Sequence, residues 1–277
     1  MNTESPLLVV SNARKSFGGI HAVSDVSFHL NQGETLGIIG PNGSGKTTLF
    51  NLITGLIRAD SGQVSVTGEP SNLLTLKPWE VFDLGISRTF QNIRLALGQT
   101  VLENVMVGGY TDCRTSWWSV LLRPRAVAAR DAALCEKSMN ALSYVAPMLA
   151  KTPHRAVGEL SYADRRRVEL ARALVADPRI MLVDEPAAGM NVRETDEISD
   201  AIKKIASRGI SILVIEHKMK FIASVAKRII VLNFGKKIAE GSYEEVRVNP
   251  DVLASYLGRK GDHLAGLKQD AKETANA

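Results

Sequence analysis

One eight-residue segment constrains the fold of this chain more than any other. Residues 40–47 run Gly-Pro-Asn-Gly-Ser-Gly-Lys-Thr, a full match to the pattern G-x-x-x-x-G-K-[ST]. The glycines let the backbone curl so that successive amide groups point into one concavity, which fits phosphate oxygens. An apolar segment, Thr35 to Ile39, precedes the motif, and a helical pattern follows from Lys46. The order predicts a strand, a phosphate-binding loop (P-loop) and a helix, and therefore a nucleotide ligand.

The rest of the chain alternates strand and helix patterns. Two N-terminal strands are predicted, and three later apolar runs are unbroken, as in strands buried on both faces of a parallel sheet. These segments are Leu7–Val10 and Val23–Leu30, then Ile180–Val183, Ile212–Ile215 and Ile229–Leu232. Apolar residues with the i, i+3, i+4, i+7 spacing of a helix lie between them, as in Ile198, Ala201, Ile202 and Ile205. This alternation favours a parallel α/β core.

Two regions interrupt this alternation. Residues 55–87 are rich in turn-forming residues, and residues from about 92 onward look mainly helical and include Trp117 and Trp118. The pattern predicts one domain over residues 1–258, with a helical subdomain inserted at about 92–176. The remaining residues, 259–277, are polar and are expected to form a mobile tail.

Composition excludes several classes of protein. Hydrophobic residues make up 45% of the chain and charged residues 23%, which is typical of a globular protein and not of a disordered or fibrous one. No hydrophobic run exceeds four residues, whereas a membrane-spanning helix needs about 18 or more, and no signal peptide is visible. Two cysteines cannot form a disulfide framework, so a reducing compartment is expected.

Positive charge is concentrated in one segment. The chain has a net charge of +5, but residues 203–237 hold nine basic residues against Glu216 as the single acidic one. Two interpretations stay open for this segment: a solvated face, or a surface that meets an anionic partner such as nucleic acid or phospholipid headgroups.

Two carboxylates, Asp184 and Glu185, directly follow the apolar run that ends at Val183. A carboxylate at the tip of such a strand suits the Mg²⁺ shell of a P-loop enzyme, and the next one is placed to orient and deprotonate a water. The alternative interpretation is that Glu185 forms only a surface ion pair. The pair favours hydrolysis over transfer of phosphate to another substrate.

Upstream of these carboxylates, Ser161 is a natural helix N-cap, with Asp164 three residues later in the capping-box position. The order of P-loop, capped helix, Asp-Glu strand and His217 after a further strand resembles an ATP-binding cassette (ABC) ATPase over about Leu7 to Gly258. The resemblance implies a P-loop NTPase fold: a RecA-like parallel sheet core, an N-terminal antiparallel β subdomain and an inserted helical subdomain.

The resemblance also implies roles for individual residues. It implies catalytic roles for Glu185, for His217 at the γ-phosphate, and for Gln91, which senses the metal and links it to a membrane partner. Binding of ATP is implied for the aromatic Phe17, which stacks on adenine, for Asn42, Gly43, Ser44, Gly45, Lys46, Thr47 and Thr48, and for Ser161 and Ala163, which face the ATP of a partner cassette. Binding of Mg²⁺ is implied for Thr47, Gln91 and Asp184.

Several longer segments are similar to the LivG-type subunit of branched-chain amino acid importers. They are residues 87–95, 101–107, 184–191 and 249–258, together with the long helical insertion that carries Trp117, Trp118 and Arg123-Pro124. This resemblance implies an ATP-hydrolysing motor for import of branched-chain amino acids or related small amphipathic solutes. It implies a second cassette, identical or a sister chain, two membrane permeases and an external solute-binding protein. Nucleic acid is not an expected partner, and the expected location is peripheral, on the cytoplasmic face of the inner membrane.

Three positions depart from the family pattern. Ala163 stands where glycine is usual, Arg165 where glutamine is usual, and Lys218 where the subfamily tends to have aspartate. An added methyl at Ala163 would obstruct close approach to a γ-phosphate, and because this segment acts in trans the effect would fall on the partner's ATP.

Two other functions stay open at this point. One is a soluble ABC ATPase that acts on nucleic acid or ribosomes, although such proteins commonly carry two cassettes or a long coiled coil. The other is a nucleotide-binding regulatory subunit with little turnover, which Ala163 would suit. A GTPase is disfavoured because the chain has no Asn-Lys-x-Asp motif.

Overall fold

The computed structural model describes residues 6–113 and 124–257, and the chain divides into two compact units. The first unit comprises residues 1–78 and 213–277, and the second comprises residues 79–212. Trp117, Trp118, Arg123 and the predicted tail at 259–277 lie outside the described residues.

The strands and helices follow in chain order. The strands are β1 (Pro6–Phe17), β2 (Ile20–Asn31), β3 (Thr35–Ile39), β4 (Ser61–Val66), β5 (Ile86–Arg88), β6 (Ile180–Asp184), β7 (Ser211–Ile215), β8 (Arg228–Asn233) and β9 (Lys236–Gly241). The α-helices are α1 (Lys46–Ile53), α2 (Pro78–Asp83), α3 (Val101–Met106), α4 (Pro124–Val145), α5 (Tyr162–Val175), α6 (Val192–Ser207), α7 (Met219–Val225), α8 (Tyr243–Val248) and α9 (Pro250–Leu257). Short 3₁₀ turns lie at Leu73–Thr75, Val107–Cys113, Leu149–Lys151 and Val157–Glu159.

An antiparallel sheet forms the N-terminal part of the first unit. Its strand order is β2-β1-β4, and β1 pairs antiparallel with both neighbours. This confirms the predicted antiparallel β subdomain. Strands β1 and β2 extend beyond the predicted limits of Leu7–Val10 and Val23–Leu30. The sequence pattern does not indicate these outer ends, because most of their residues are not buried. Both strands reach the tight turn at Gly18–Gly19.

The core strands of the first unit have the order β7-β3-β8-β9. Every residue of β3 and β7 is buried, as the unbroken apolar runs predict. Strand β8 runs parallel to β3, whereas β9 runs antiparallel to β8 and makes the core sheet mixed. Strand β9 is not indicated by hydrophobic patterning, because none of its residues is buried.

The second unit carries the parallel pair β5 and β6 and most of the helices. Residues 86–88 of β5 pair in register with residues 180–182 of β6. Helix α5 packs against α3 and α4, and α6 packs against α4 and α5. Helices α3, α4 and α5 lie within the predicted helical region, whereas α6 lies beyond it. The limits of that region, at about 92–176, stay a prediction. Among the described helices, none has the length and apolarity needed to cross a membrane.

Candidate active site

The P-loop lies between β3 and α1 in the first unit, and two of its glycines have no room for a side chain. Gly40 and Gly45 have φ angles of +150° and +101°. A Cβ on Gly40 would lie 2.1 Å from the carbonyl oxygen of Leu232, and one on Gly45 would lie 2.2 Å from that of Ala22. The backbone can therefore approach its neighbours this closely only because these residues are glycines.

Lys46 is buried at the start of α1, and its ammonium group is bonded to the loop itself. Nζ donates to the carbonyl oxygens of Gly40, at 2.7 Å, and Pro41, at 3.0 Å. Thr47 is exposed on the first turn of the helix and Thr48 is half-buried. Helix α1 thus presents its positive N-terminal end, Lys46 and an accessible hydroxyl at one place, which suits phosphate oxygens.

The remaining loop residues differ in exposure. Asn42 and Gly43 are exposed, whereas Ser44 is buried. The Gly235 N–H donates to the Ser44 carbonyl at 3.0 Å, which fixes the loop to the turn between β8 and β9. This hydrogen bond anchors the P-loop to the core sheet.

Phe17 ends β1 and is 47% exposed. The Lys15 ammonium lies 5.4 Å from the centroid of the Phe17 ring, and the same ammonium donates to Asp60 at 2.8 Å. An exposed aromatic face at the end of a strand is free to stack on a planar ligand.

His217 follows β7 and is exposed, and its backbone is held by its neighbour Glu216. The buried Glu216 carboxylate accepts the N–H of His217 at 2.6 Å and the N–H of Lys218 at 3.1 Å. Charge-assisted bonds of this kind fix the turn that leads into α7. Glu216 was not among the predicted site residues and entered only as the single acid of the basic segment. Its position between an apolar strand and His217 was the available signal.

Asp184 lies at the end of β6 in the second unit and forms a buried ion pair with Arg88 from β5. The Arg88 Nη2 lies 2.9 Å from the Asp184 Oδ2, and the side chains are 6% and 1% exposed. Burial raises the pKa of Asp184, and the positive charge of Arg88 opposes that rise. The other oxygen, Oδ1, is buried and has no hydrogen-bond partner among the described residues. A carboxylate oxygen without a hydrogen-bond partner is a suitable ligand for Mg²⁺.

Glu185 is buried in the second unit directly after β6, with a φ of +46°. A left-handed backbone at a residue other than glycine is strained, and such strain is concentrated at functional sites. The Gln91 Nε2 donates to the Glu185 Oε2 at 2.9 Å. The structure therefore brings together two of the three predicted catalytic residues, although 94 positions separate them in the chain.

The predicted cap of α5 is present. The Ser161 Oγ accepts the Asp164 N–H at 3.1 Å and donates to the Asp164 carboxylate at 2.9 Å. Ala163 is buried on the first turn. Arg165, the second departure from the family pattern, donates to the carbonyl oxygens of Val157 and Gly158 at 3.2 and 2.8 Å. It therefore ties the helix to the 3₁₀ turn that precedes it.

The charge of the basic segment 203–237 is partly neutralised by acids outside it. Arg228 forms ion pairs with Glu34 and Glu240, and Lys237 also pairs with Glu240. Lys203 lies 3.5 Å from Asp200. The sequence count of nine bases against one acid thus overstates the positive charge of the surface, because these partners lie before or after the segment in the chain.

Comparison with known families identifies two regions. Residues 23–188 match the family model described as ABC transporter. Residues 236–262 match a second model, described as branched-chain amino acid ATP-binding cassette transporter. The first match covers the P-loop, Gln91, Ser161 and the Asp184–Glu185 pair, and the second covers β9, α8 and α9.

Named relatives and solved structures agree with these matches. The chain is 38% identical over 254 residues to the high-affinity branched-chain amino acid transport ATP-binding protein LivG of Salmonella typhimurium, covering 91% of this chain and 98% of that protein. It is 37% identical, with the same coverage, to the corresponding protein BraF of Pseudomonas aeruginosa. A nucleotide-free ATP-binding cassette from an ABC transporter superposes with a TM-score of 0.79 at 31% identity, covering 93% of this chain and 100% of that one. A cassette in its ADP conformation gives 0.78 at 31% identity, covering 92% and 100%.

These comparisons confirm the expected P-loop NTPase fold and the expected resemblance. The chain belongs to the ABC transporter family of ATP-hydrolysing cassettes and, within it, to the LivG-type group of the branched-chain amino acid transporters.

Proposed function

We propose that this cassette drives the import of branched-chain amino acids or related small amphipathic solutes. The family matches and the names of relatives that cover 91% of the chain support this assignment. The proposal includes a second cassette, two membrane permeases and an external solute-binding protein, and a peripheral location on the cytoplasmic face of the plasma membrane.

The first unit supplies the residues that bind ATP in this proposal. Phe17 stacks on adenine, and the amides of residues 42–48 surround the phosphates. The Lys46 ammonium exchanges its bonds to the carbonyls of Gly40 and Pro41 for bonds to the β- and γ-phosphates. His217, on a turn held by Glu216, contacts the γ-phosphate.

Thr47, Asp184 and Gln91 are the proposed ligands of Mg²⁺. The buried and unpartnered Oδ1 of Asp184 supports this role. A bound Mg²⁺ would neutralise charge that develops on the phosphate oxygens. Arg88 keeps a positive charge beside Asp184, and this favours the ionised carboxylate that a metal requires.

The Gln91–Glu185 contact carries the proposal of hydrolysis. Glu185 orients a water molecule and takes its proton as the water attacks the γ-phosphate. The 2.9 Å bond from the Gln91 amide holds the carboxylate that acts as the base in place. Ser161 and Ala163 contact the ATP of the partner cassette in the same proposal.

Replacing Glu185 by glutamine tests this assignment. Glu185→Gln should keep ATP binding and lower turnover by at least about 10²-fold, the usual scale for loss of a general base. The matched control is Glu159→Gln, which alters an exposed glutamate that pairs with Arg155 and should leave turnover unchanged. Hydrolysis by Glu185→Gln at the rate of the unaltered protein would show that another group is the base.

Transport is tested separately. A gene neighbourhood with two permeases, a solute-binding protein and a second cassette, and ATP-dependent leucine uptake by the reconstituted complex, would support the importer. The soluble alternative, acting on nucleic acid or ribosomes, instead predicts ATP hydrolysis stimulated by RNA and no such neighbours. The regulatory alternative predicts nucleotide binding with little hydrolysis in the assembled complex.

A further inference from the structure

Arg166 is a fully buried arginine in helix α5 that is not itself among the residues assigned to ATP. Its side chain is 0% exposed, and its Nη1 lies 2.6 Å from the Oε2 of Glu169, which is 1% exposed. Burial raises the pKa of Glu169, and the charge of Arg166 opposes that rise. A buried ion pair of this kind is weak evidence for a purely stabilising role, because the cost of removing both charges from water offsets their attraction.

The pair holds the backbone of residues 90 and 91 from both sides. Arg166 donates to the carbonyl oxygens of Phe90, at 2.7 Å, and Gln91, at 2.8 Å. The Glu169 Oε1 accepts the Phe90 N–H at 3.1 Å. These three hydrogen bonds fix the position of the backbone from which the Gln91 side chain extends.

The same guanidinium also contacts the N-terminus of α5. Its Nη2 donates to the Tyr162 hydroxyl at 3.1 Å, and the charge lies 5.8 Å from the centroid of the Tyr162 ring. Tyr162 lies between Ser161 and Ala163. A shift of this helix end therefore moves a partner of Arg166, and Arg166 in turn holds Gln91.

We propose that Arg166 is a positioning residue that couples the N-terminus of α5 to the carboxylate of Glu185 through Gln91. The chain of contacts is Tyr162 hydroxyl, Arg166 guanidinium, Gln91 backbone, Gln91 amide and Glu185 carboxylate. The inference rests on the proposed role of Glu185 as the base. A ligand that binds at Ser161 and Ala163 would then change the rate at which Glu185 of the same chain acts.

Only an arginine fits this position. Its planar fork of donors reaches the Glu169 carboxylate and three further oxygens at once, whereas a lysine ammonium is a compact point charge. Arg166→Lys keeps the charge beside Glu169 and loses part of the bonding to Phe90 and Gln91. Tyr162→Phe is the milder change, since it removes one hydroxyl from a side chain that is 45% exposed and should fold normally.

The experiment measures steady-state ATP hydrolysis and ATP binding by the full-length protein. Tyr162→Phe and Arg166→Lys should lower kcat by about 3- to 30-fold, because misplacing a catalytic group reduces the rate steeply. The affinity for ATP, which depends on the Lys46 loop, should change less than about two-fold. Tyr144→Phe is the control, because it removes a hydroxyl that donates to the Lys204 carbonyl at 2.7 Å and should leave kcat unchanged.

A double-mutant cycle decides whether the effect passes through Gln91. On a Gln91→Ala background, Tyr162→Phe should change kcat by less than about two-fold, since residues acting along one path are not additive. Full additivity, or an unchanged kcat in Tyr162→Phe, would refute the coupling. If Glu185→Gln itself kept full turnover, the proposed function would fail instead, so the two failures are distinguishable.

Discussion

Removal of Arg88 should destabilise the protein in a pH-dependent way. In Arg88→Met the Asp184 carboxylate stays 1% exposed and loses the cation at 2.9 Å. Breaking a buried ion pair by removing one partner costs about 3–5 kcal/mol, because the remaining charge is buried without compensation. At about 2–4 °C per kcal/mol for a chain of this size class, the unfolding midpoint should fall by about 6–20 °C near neutral pH.

The dependence on pH follows from the direction of the Asp184 shift. Burial already raises the pKa of Asp184, and loss of Arg88 removes the charge that opposes the rise. A carboxyl group with a raised pKa in the folded state stabilises the fold only while protonated, so that contribution is present below the ordinary aspartate pKa and lost as the pH rises through the folded one. The loss of stability caused by Arg88→Met should therefore be small at low pH and reach its full size at high pH.

Thermal unfolding without nucleotide, at about pH 4 and about pH 8, measures this effect. Arg14→Met is the matched control, because Arg14 and Asp25 form an exposed ion pair, with side chains 58% and 52% exposed, and exposed pairs contribute little. Adding Asp184→Asn to Arg88→Met should abolish the pH dependence. A midpoint for Arg88→Met equal to that of the unaltered protein at about pH 8, or a deficit equal at both pH values, would refute the reasoning.

Two further substitutions test the nucleotide site. Lys46→Ala should abolish ATP binding, since it removes the cation at the phosphate loop. Lys203→Ala, on an exposed helix face, is the control. If calorimetry showed the same ATP affinity for Lys46→Ala as for the unaltered protein, Lys46 would have no phosphate-binding role. Ala163→Gly should raise ATP hydrolysis only when the chain is assembled with its partner cassette, because the residue faces the partner's ATP in the proposed arrangement. A rise in the isolated chain without dimerisation would contradict that placement.

Local sequence signals predicted the parts of the site that depend on neighbouring residues. A short sequence pattern was enough to predict three of these parts: the P-loop glycines, the Ser161 cap and the carboxylates after β6. In each case the local backbone conformation depends on only a few consecutive residues. The bond between Gln91 and Glu185 could not be derived from such patterns, since the pairing of β5 and β6 places them together and the three-residue strand β5 carries no periodic signal. Only the family resemblance indicated a role for Gln91.

Buried charges were the main feature that the sequence did not reveal. Arg166, Glu169 and Arg88 look like ordinary surface residues in the sequence, because helix and strand periodicity records apolar positions only. Their partners come from other elements: Arg166 bonds to residues 90 and 91, and Arg88 to Asp184. The same limitation explains the basic segment, whose compensating acids Glu34 and Glu240 lie before and after it.

The self-bonded state of Lys46 has a consequence for ligand discrimination. Its ammonium already has two carbonyl acceptors at 2.7 and 3.0 Å, so a ligand gains from this lysine only by offering better acceptors than Gly40 and Pro41. Ionised phosphate oxygens meet that condition, whereas the hydroxyls of a nucleoside do not. The loop should therefore favour a phosphorylated ligand, and adenosine should bind much more weakly than ATP even though both carry the base on which Phe17 is proposed to stack.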